Sequence, residues 1–246
     1  MRRVVLACLF LLFHSFTQAQ DDSPLQEVDA LSKDLTDIQH LSQALNLCRR
    51  MLKKNPDWLE VQARASRLCW YIGVQLDSEE KAKEMFEIGF AQAEKIKQRH
   101  PDKPDGWYWY AVNYGQYINR SSIFVKIGGA GKIMEHAKKT LELDPGYDFG
   151  GAYLMVGRIN QIIPGGDDRV AEEYFRQAVR IAPQRSTGHL YLGELYHDQK
   201  KHEEARREIK AVLEGPPDSR FAVERKLDTP RAKELMEEIE SELRDR

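Results

Sequence analysis

The sequence predicts an all-α fold, a solenoid of repeated helix pairs with a C-terminal capping helix, and a repeated spacing is the main reason. A small or apolar residue is followed by residues four, seven and twelve places later, the last of them proline, and this occurs five times. Positions four and seven apart share one helix face, and proline marks where a helix cannot continue. The five copies are Ala44-Cys48-Met51-Pro56, Gly89-Ala93-Ile96-Pro101, Ile133-Ala137-Thr140-Pro145, Ala171-Phe175-Ala178-Pro183 and Ala205-Ile209-Val212-Pro217.

A second pattern precedes three of these copies and predicts the partner helices. Its four positions hold, in order along the helix, an aromatic or other large residue, an apolar residue, a small residue, and an aromatic or polar residue. This is a variant of the tetratricopeptide pattern. The small residue lets the two helices of a pair approach closely, and it is Ala111, Gly157 or Gly193. We therefore expect an irregular tetratricopeptide-like helical-repeat solenoid.

The spacing between successive prolines shows where the solenoid is irregular. It is 45, 44, 38 and 34 residues, so only the last repeat, about 186–219, has the regular period. The third unit carries an insertion at 118–132, which predicts a flexible loop or the start of a helix, and the fourth carries a long turn at 164–168. Pro230 predicts that a capping helix covers about 229–245.

The N-terminus has the order of a signal peptide: Arg2 and Arg3, an apolar run from Val4 to Phe13, and a small-residue cleavage site. We assign residues 1–19 to the leader and 20–246 to the helical-repeat domain, and we expect a periplasmic protein. A lipid anchor at Cys8 is disfavoured, because too few apolar residues precede it.

The formal charge and the cysteine content exclude some classes of function. The formal charge is −2, and loss of Arg2 and Arg3 makes the mature chain more acidic, so nucleic acid is not an expected partner. Cys48 and Cys69 lie on apolar helical faces. We expect buried thiols there, with a single disulfide as the alternative.

No motif in the sequence indicates catalysis or a cofactor. Gly128-Gly129-Ala130-Gly131-Lys132 lacks the first glycine and the final Ser or Thr of a phosphate loop. His197 and His202 are five residues apart, which places them poorly for one metal ion on a single helix. We therefore expect no cofactor, no metal site and no enzyme activity.

An aromatic cluster supplies the candidate binding site. Six aromatic residues lie between Trp107 and Tyr117, and helical geometry assigns Trp107, Tyr110 and Tyr114 to the core. The remaining aromatics lie beside the insertion, where they either form a ligand or partner site or only pack beneath it. The candidate residues are Tyr108, Trp109, Asn113, Tyr117, Arg120 and Arg158.

Several segments resemble the T-component of TRAP (tripartite ATP-independent periplasmic) transporters, a family of periplasmic tetratricopeptide-like proteins. The resemblance covers roughly residues 63–193. It is carried by Trp109-Tyr110-Ala111-Val112-Asn113-Tyr114-Gly115, Met134-Glu135-His136-Ala137, Leu143-Asp144-Pro145, Gly150-Gly151-Ala152, Gly157-Arg158-Ile159, Ile163-Pro164-Gly165-Gly166, Ala178-Val179 and Ala182-Pro183. The regulators of microtubule dynamics share the irregular architecture, but the signal peptide favours the T-component.

The resemblance implies a homo-oligomeric adaptor that docks an extracytoplasmic solute-binding protein and hands over a small hydrophobic ligand. T-components are typically lipid-anchored, and this chain departs from them at that point. The alternative is a structural scaffold that holds a peptide or helix of an envelope complex.

The leader makes a direct prediction. We expect cleavage before Gln20, because Thr17-Gln18-Ala19 places a small residue at the cut. N-terminal sequencing of the protein from its own envelope checks this, and a mature chain that begins at Met1 or at a lipidated Cys8 contradicts it.

Overall fold

The computed structural model describes residues 23–244, except for the side chains of residues 123, 124, 126 and 127; the leader and Cys8 lie outside this range. Within it every regular element is helical. The helices are α1 (Ser23–Leu31), α2 (Ile38–Lys54), α3 (Leu59–Gly73), α4 (Glu79–Arg99), α5 (Pro104–Asn119), α6 (Ile123–Leu143), α7 (Tyr147–Ile162), α8 (Asp168–Ile181), α9 (Ser186–Asp198), α10 (His202–Glu214), a 3-10 turn (Ser219–Phe221) and α11 (Ala222–Arg244). None of these helices is both long and apolar enough to cross a bilayer.

The repeated pattern falls on α2, α4, α6, α8 and α10, as predicted. The first three positions of each copy lie in the core, apart from the partly buried Ile133. Helices α2, α4, α6 and α8 each end two residues before the proline of their copy. The residue between the helix end and the proline has a non-helical backbone. A proline disfavours helical backbone at the residue before it, so it ends the helix at this place.

The helices stack as a solenoid. Each helix packs on the next, and the first helices of successive units also meet, α3 with α5, α7 with α9 and α9 with α11. These contacts confirm the all-α helical-repeat fold. The long turn of the fourth unit is also confirmed, because residues 163–167 connect α7 to α8.

The core consists of an N-terminal, a central and a C-terminal cluster of apolar side chains. The N-terminal cluster holds Cys48 and Cys69 as free buried thiols, as expected, and burial raises the pKa of each to about 12. Val223 of α11 belongs to this same cluster. The last helix of the array therefore touches the first unit.

The insertion at 118–132 is mostly helix. α5 continues to Asn119 and α6 begins at Ile123, so the glycines at 128, 129 and 131 lie inside α6. Of the two alternatives that the sequence left open, the helical one is correct. The third unit therefore has a longer second helix and not an added loop.

α11 begins seven residues earlier than Pro230 predicts, at Ala222, and Pro230 lies inside it. A proline inside a helix removes one hydrogen bond and crowds the preceding turn, which costs about 3 kcal/mol. Val223 and Glu224 are buried against other units. This tertiary burial holds the first turns of the helix, and the local sequence contains no signal for it.

The close approach of α7 and α8 at Gly157 tests the repeat register. A Cβ atom at Gly157 would lie 2.5 Å from Phe175 Cε1 and 3.2 Å from the Ala171 carbonyl oxygen. We expect Gly157→Leu to lower the free energy of unfolding by about 1 to 3 kcal/mol, because the two helices must separate. Thermal denaturation measures the change.

Gly131 supplies the matched control. It is an exposed glycine inside α6 with no atom near its virtual Cβ. Gly131→Ala should stabilise the protein by about 0.5 to 1 kcal/mol through helix propensity alone. An unchanged thermal midpoint for Gly157→Leu would show that the proposed helix pairing is wrong.

Candidate functional site

The start of α7 has an unusual backbone. Asp148, Phe149 and Gly150 have φ values of 45°, 54° and 74°, so three consecutive residues are left-handed before the helix continues. Gly150 adopts this conformation at little cost, but a residue with a Cβ atom loses roughly 1 to 2 kcal/mol. Such strain persists only where the surrounding structure compensates for it, and it is concentrated at functional sites.

Arg185, the residue before α9, is the hub that holds this turn. Its guanidinium is buried and donates two hydrogen bonds of 2.8 Å to the carboxylate of Glu224. It also donates to the Asp148 carbonyl oxygen at 2.7 Å and to Asp148 Oδ2 at 3.2 Å. The left-handed turn points the Asp148 carbonyl at Arg185, and α11 brings Glu224 to the other side.

Aromatic hydroxyls extend the network into the central cluster. The Tyr108 hydroxyl donates to Asp148 Oδ2, and the Tyr147 hydroxyl donates to Asp105 Oδ1 at 2.8 Å. Burial raises the pKa of both tyrosines, so both remain protonated donors. A Cβ atom at Gly151 would collide with the Tyr108 hydroxyl, which explains why glycine follows the turn directly.

A second carboxylate on α11 completes the network. Asp228 Oδ2 accepts hydrogen bonds from Ser186 Oγ at 2.6 Å and from Thr187 Oγ1 at 2.8 Å. Burial raises the pKa of Asp228 to about 6 despite these donors. Folded protein then holds this proton between about pH 4 and 6, where the unfolded chain has lost it, so this carboxyl alone makes stability fall as pH rises through that window.

A cleft of about 310 Å³ opens beside this network, where the closing segment (residues 219–224) meets the first unit; we call it the seam cleft. Its aromatic lining is Tyr71, Phe149 and Phe221, and the rings of Phe149 and Phe221 are 5.4 Å apart, edge to face. Phe149 is 40% exposed, although it is a large apolar side chain. The left-handed turn is what presents it to the cleft.

Cations surround these rings. Lys33 and Arg67 are exposed at the cleft, and the Arg67 guanidinium lies 5.5 Å from the centre of the Tyr71 ring. Arg220 lies 4.6 Å from the centre of the Phe149 ring and pairs with Asp218. The cleft's two acids, Asp148 and Glu224, are both bound by Arg185. The exposed rim of the seam cleft is therefore positive.

Three of the residues predicted as a binding site are buried. Tyr108 is 3%, Trp109 4% and Asn113 0% exposed. Trp109 Nε1 donates to the Tyr147 hydroxyl at 3.1 Å, and Asn113 Nδ2 donates to the Ser66 carbonyl oxygen at 3.1 Å. The sequence had assigned only Trp107, Tyr110 and Tyr114 to the core, and the burial of Tyr108 and Trp109 corrects this, because α5 packs against α3, α4 and α6.

The other three predicted residues lie elsewhere. Tyr117 packs its ring 5.5 Å from that of Phe90, and Arg120 forms an ion pair of 2.9 Å with Glu79, so both tie α5 to α4. Arg158 binds Glu194 at 2.7 Å and lines a separate cavity of about 230 Å³ beside His197 and Arg231. The six residues do not form one site.

The sequence contained only a partial signal for the seam cleft. The pair Gly150-Gly151 after Pro145-Gly146 indicates a tight backbone, and the structure explains both glycines. Nothing in the sequence marks Arg185 or Glu224, because each resembles the many surface charges of the chain. They are 39 residues apart, and only folding brings them together.

Arg185 provides a stability test. We expect Arg185→Met to lower the free energy of unfolding by about 3 to 5 kcal/mol, because it leaves the carboxylates of Glu224 and Asp148 buried without a cation. Denaturant titration measures this loss. The double variant Arg185→Met/Glu224→Met should recover part of it, since Glu224, which accepts two of the Arg185 hydrogen bonds, is then not left as a buried carboxylate without its cation.

Arg169 is the matched control, because it is 91% exposed in its ion pair with Asp167. Arg169→Met should change stability by less than about 1 kcal/mol. Equal effects of Arg185→Met and Arg169→Met would contradict the role of Arg185 as the hub.

Solved structures of tetratricopeptide repeat (TPR) proteins are similar to this fold. A thermophilic TPR protein of Thermus thermophilus is 19% identical with a TM-score of 0.63, and the alignment covers 84% of this chain and 97% of that one. Pseudomonas aeruginosa pilF is 14% identical with a TM-score of 0.55, covering 89% and 99%. At these identities the likeness shows the fold alone. No curated protein sequence matches the chain significantly.

Residues 24–160 match the family described as regulator of microtubule dynamics protein 1-3. The match covers more than half of the chain and runs from α1 into α7, so it includes the left-handed turn. The predicted signal peptide had placed this family second, and the match corrects that order. The resemblance to the T-component remains a prediction. The chain belongs to the regulator of microtubule dynamics protein 1-3 family.

Proposed function

We propose that this protein is a non-enzymatic binding adaptor that holds a segment of a protein partner in the seam cleft. The observation that carries the proposal is the exposed ring of Phe149 in a cleft whose rim is positive at Lys33 and Arg67. Helical-repeat solenoids bind extended peptides and helices on such surfaces. The fold supports protein binding in general, and the cleft suggests where binding takes place.

The cleft's chemistry favours an acidic segment that carries an apolar side chain. A carboxylate can pair with Arg67 or Lys33, while a neighbouring apolar group covers Phe149, whose ring is otherwise partly exposed to water. The acids within the cleft are bound to Arg185 and repel such a partner little. A volume of about 310 Å³ holds a few side chains, not a folded domain.

For the partner we propose an extracytoplasmic solute-binding protein, in the manner of a TRAP T-component, with this protein exported and homo-oligomeric. The signal peptide and the resembling segments support this role. A small hydrophobic ligand has less support, because neither the seam cleft nor the cavity at Arg158 is lined by Trp109. A structural scaffold of an envelope complex would use the same cleft without any solute transport.

Peptide binding tests the proposal. The probes are two fluorescent peptides, one with Asp and Glu beside Phe and Leu, the other with Asn and Gln in place of the acids. We expect the acidic peptide to bind more tightly, and Lys33→Glu/Arg67→Glu to weaken it by about tenfold or more, equivalent to about 1.4 kcal/mol. Fluorescence polarisation at two salt concentrations measures the affinity.

Lys138→Glu/Lys139→Glu is the matched control, with the same charge change on α6, away from the cleft lining. It should leave the cleft's contacts intact and weaken binding only through net charge. If both double variants bind the acidic peptide equally well, or if the neutral peptide binds as tightly, the seam cleft is not the binding site.

A further inference from the structure

Two histidines and a glutamate meet at the turn between α9 and α10. His197 lies in the last turn of α9, His202 is the first residue of α10, and Glu242 comes from α11. Glu242 Oε2 is 3.4 Å from His197 Nε2 and 3.0 Å from His202 Nδ1. All three atoms lie within 4.8 Å of one another.

The turn between α9 and α10 brings the two histidines together in spite of their spacing in the sequence. Five residues separate the two histidines, a poor spacing on one helix, but the chain reverses between them. Lys200 is left-handed with a φ of 61°, and its N–H donates to the His197 carbonyl oxygen at 2.8 Å. The Lys201 N–H donates to the Tyr196 carbonyl oxygen at 2.8 Å, which completes a Schellman turn. The turn carries both imidazoles to the same side.

The three atoms are close without being hydrogen-bonded. His197 Nε2, His202 Nδ1 and Glu242 Oε2 are buried, and none has a hydrogen-bond partner among the described residues. Burying a polar atom without a partner is costly, and most such atoms in folded proteins are satisfied. The other oxygen of Glu242, Oε1, is 3.5 Å from Lys200 Nζ. Oε2 is thus the oxygen that faces both rings.

We propose that His197, His202 and Glu242 bind one zinc ion. Imidazole nitrogen and carboxylate oxygen are zinc ligands with bond lengths of about 2.0 to 2.2 Å, and two of them at a tetrahedral angle lie roughly 3.3 Å apart. The distances of 3.0 and 3.4 Å agree with this geometry. Two imidazoles and one carboxylate leave a fourth position for water or for a ligand from a partner.

Such an ion joins α11 to the turn between α9 and α10. Because His202 is 3% and Glu242 38% exposed in their side chains, the site lies at the edge of the core and an ion can enter from solvent. Its consequence is structural: zinc fastens the far end of the capping helix, whose beginning is held by Arg185 through Glu224. The site does not depend on the function proposed for the seam cleft.

Metal content and thermal stability test the proposal together. The full chain, expressed without a histidine tag, is incubated with Zn²⁺, freed of unbound ion and measured by inductively coupled plasma mass spectrometry. We expect one zinc per chain and a higher thermal midpoint that EDTA reverses. Glu242→Gln and His202→Gln should each lower the zinc content at least tenfold and abolish the shift in thermal midpoint.

Glu240→Gln and His40→Gln are the matched controls, because they remove an exposed carboxylate of α11 and an exposed imidazole of α2 outside the cluster. Both should keep one zinc. Circular dichroism checks that each variant folds. If His202→Gln does not fold, the zinc content of Glu242→Gln decides the result, because the Glu242 side chain is partly exposed. Absence of zinc from the wild type, an unchanged thermal midpoint, or equal zinc loss in the controls would overturn the proposal and leave a contact between two histidines and a carboxylate.

Discussion

The buried guanidinium of Arg185 is the constraint on which the rest of this structure depends. It bonds to two carboxylates and one carbonyl oxygen that come from the starts of α7 and α11. Burying these charges is favourable only if every donor finds its acceptor, because the loss of hydration otherwise exceeds the attraction between them. The left-handed backbone at Asp148 meets that requirement, since it directs both the carbonyl and the side chain at Arg185.

Closure of the array follows from this contact. Glu224 holds the first turn of α11 at Arg185, and Val223 next to it packs into the N-terminal cluster. The closing segment therefore bridges units that are far apart in the sequence. In an open helical-repeat array each unit contacts only its neighbours. Here the last helix also touches the first unit, and the seam cleft is the gap that remains at this junction.

The candidate site shows how far reasoning from the sequence reached. Helical periodicity identified the aromatic cluster on α5 as unusual, but it assumed that this helix has one buried face. In a stacked array the first helix of a unit packs against its own partner and against both neighbouring units, so Trp109 and Asn113 are as buried as Tyr110. Phe149, which does face solvent at a cleft, follows no helical period. Its exposure comes from a backbone turn.

The sequence by itself determined the helix pairs, because periodic small and apolar residues and the prolines after them act locally, within a turn or two of helix. It also determined where units are irregular, through the changing interval between prolines. Only the tertiary structure decided the start of α11, the left-handed turn at Asp148 and the meeting of His197, His202 and Glu242. Each of these depends on burial or on contacts between residues that are far apart in the sequence. A sequence shows that a residue is charged or polar, but it does not show whether water or another unit of the array covers that residue.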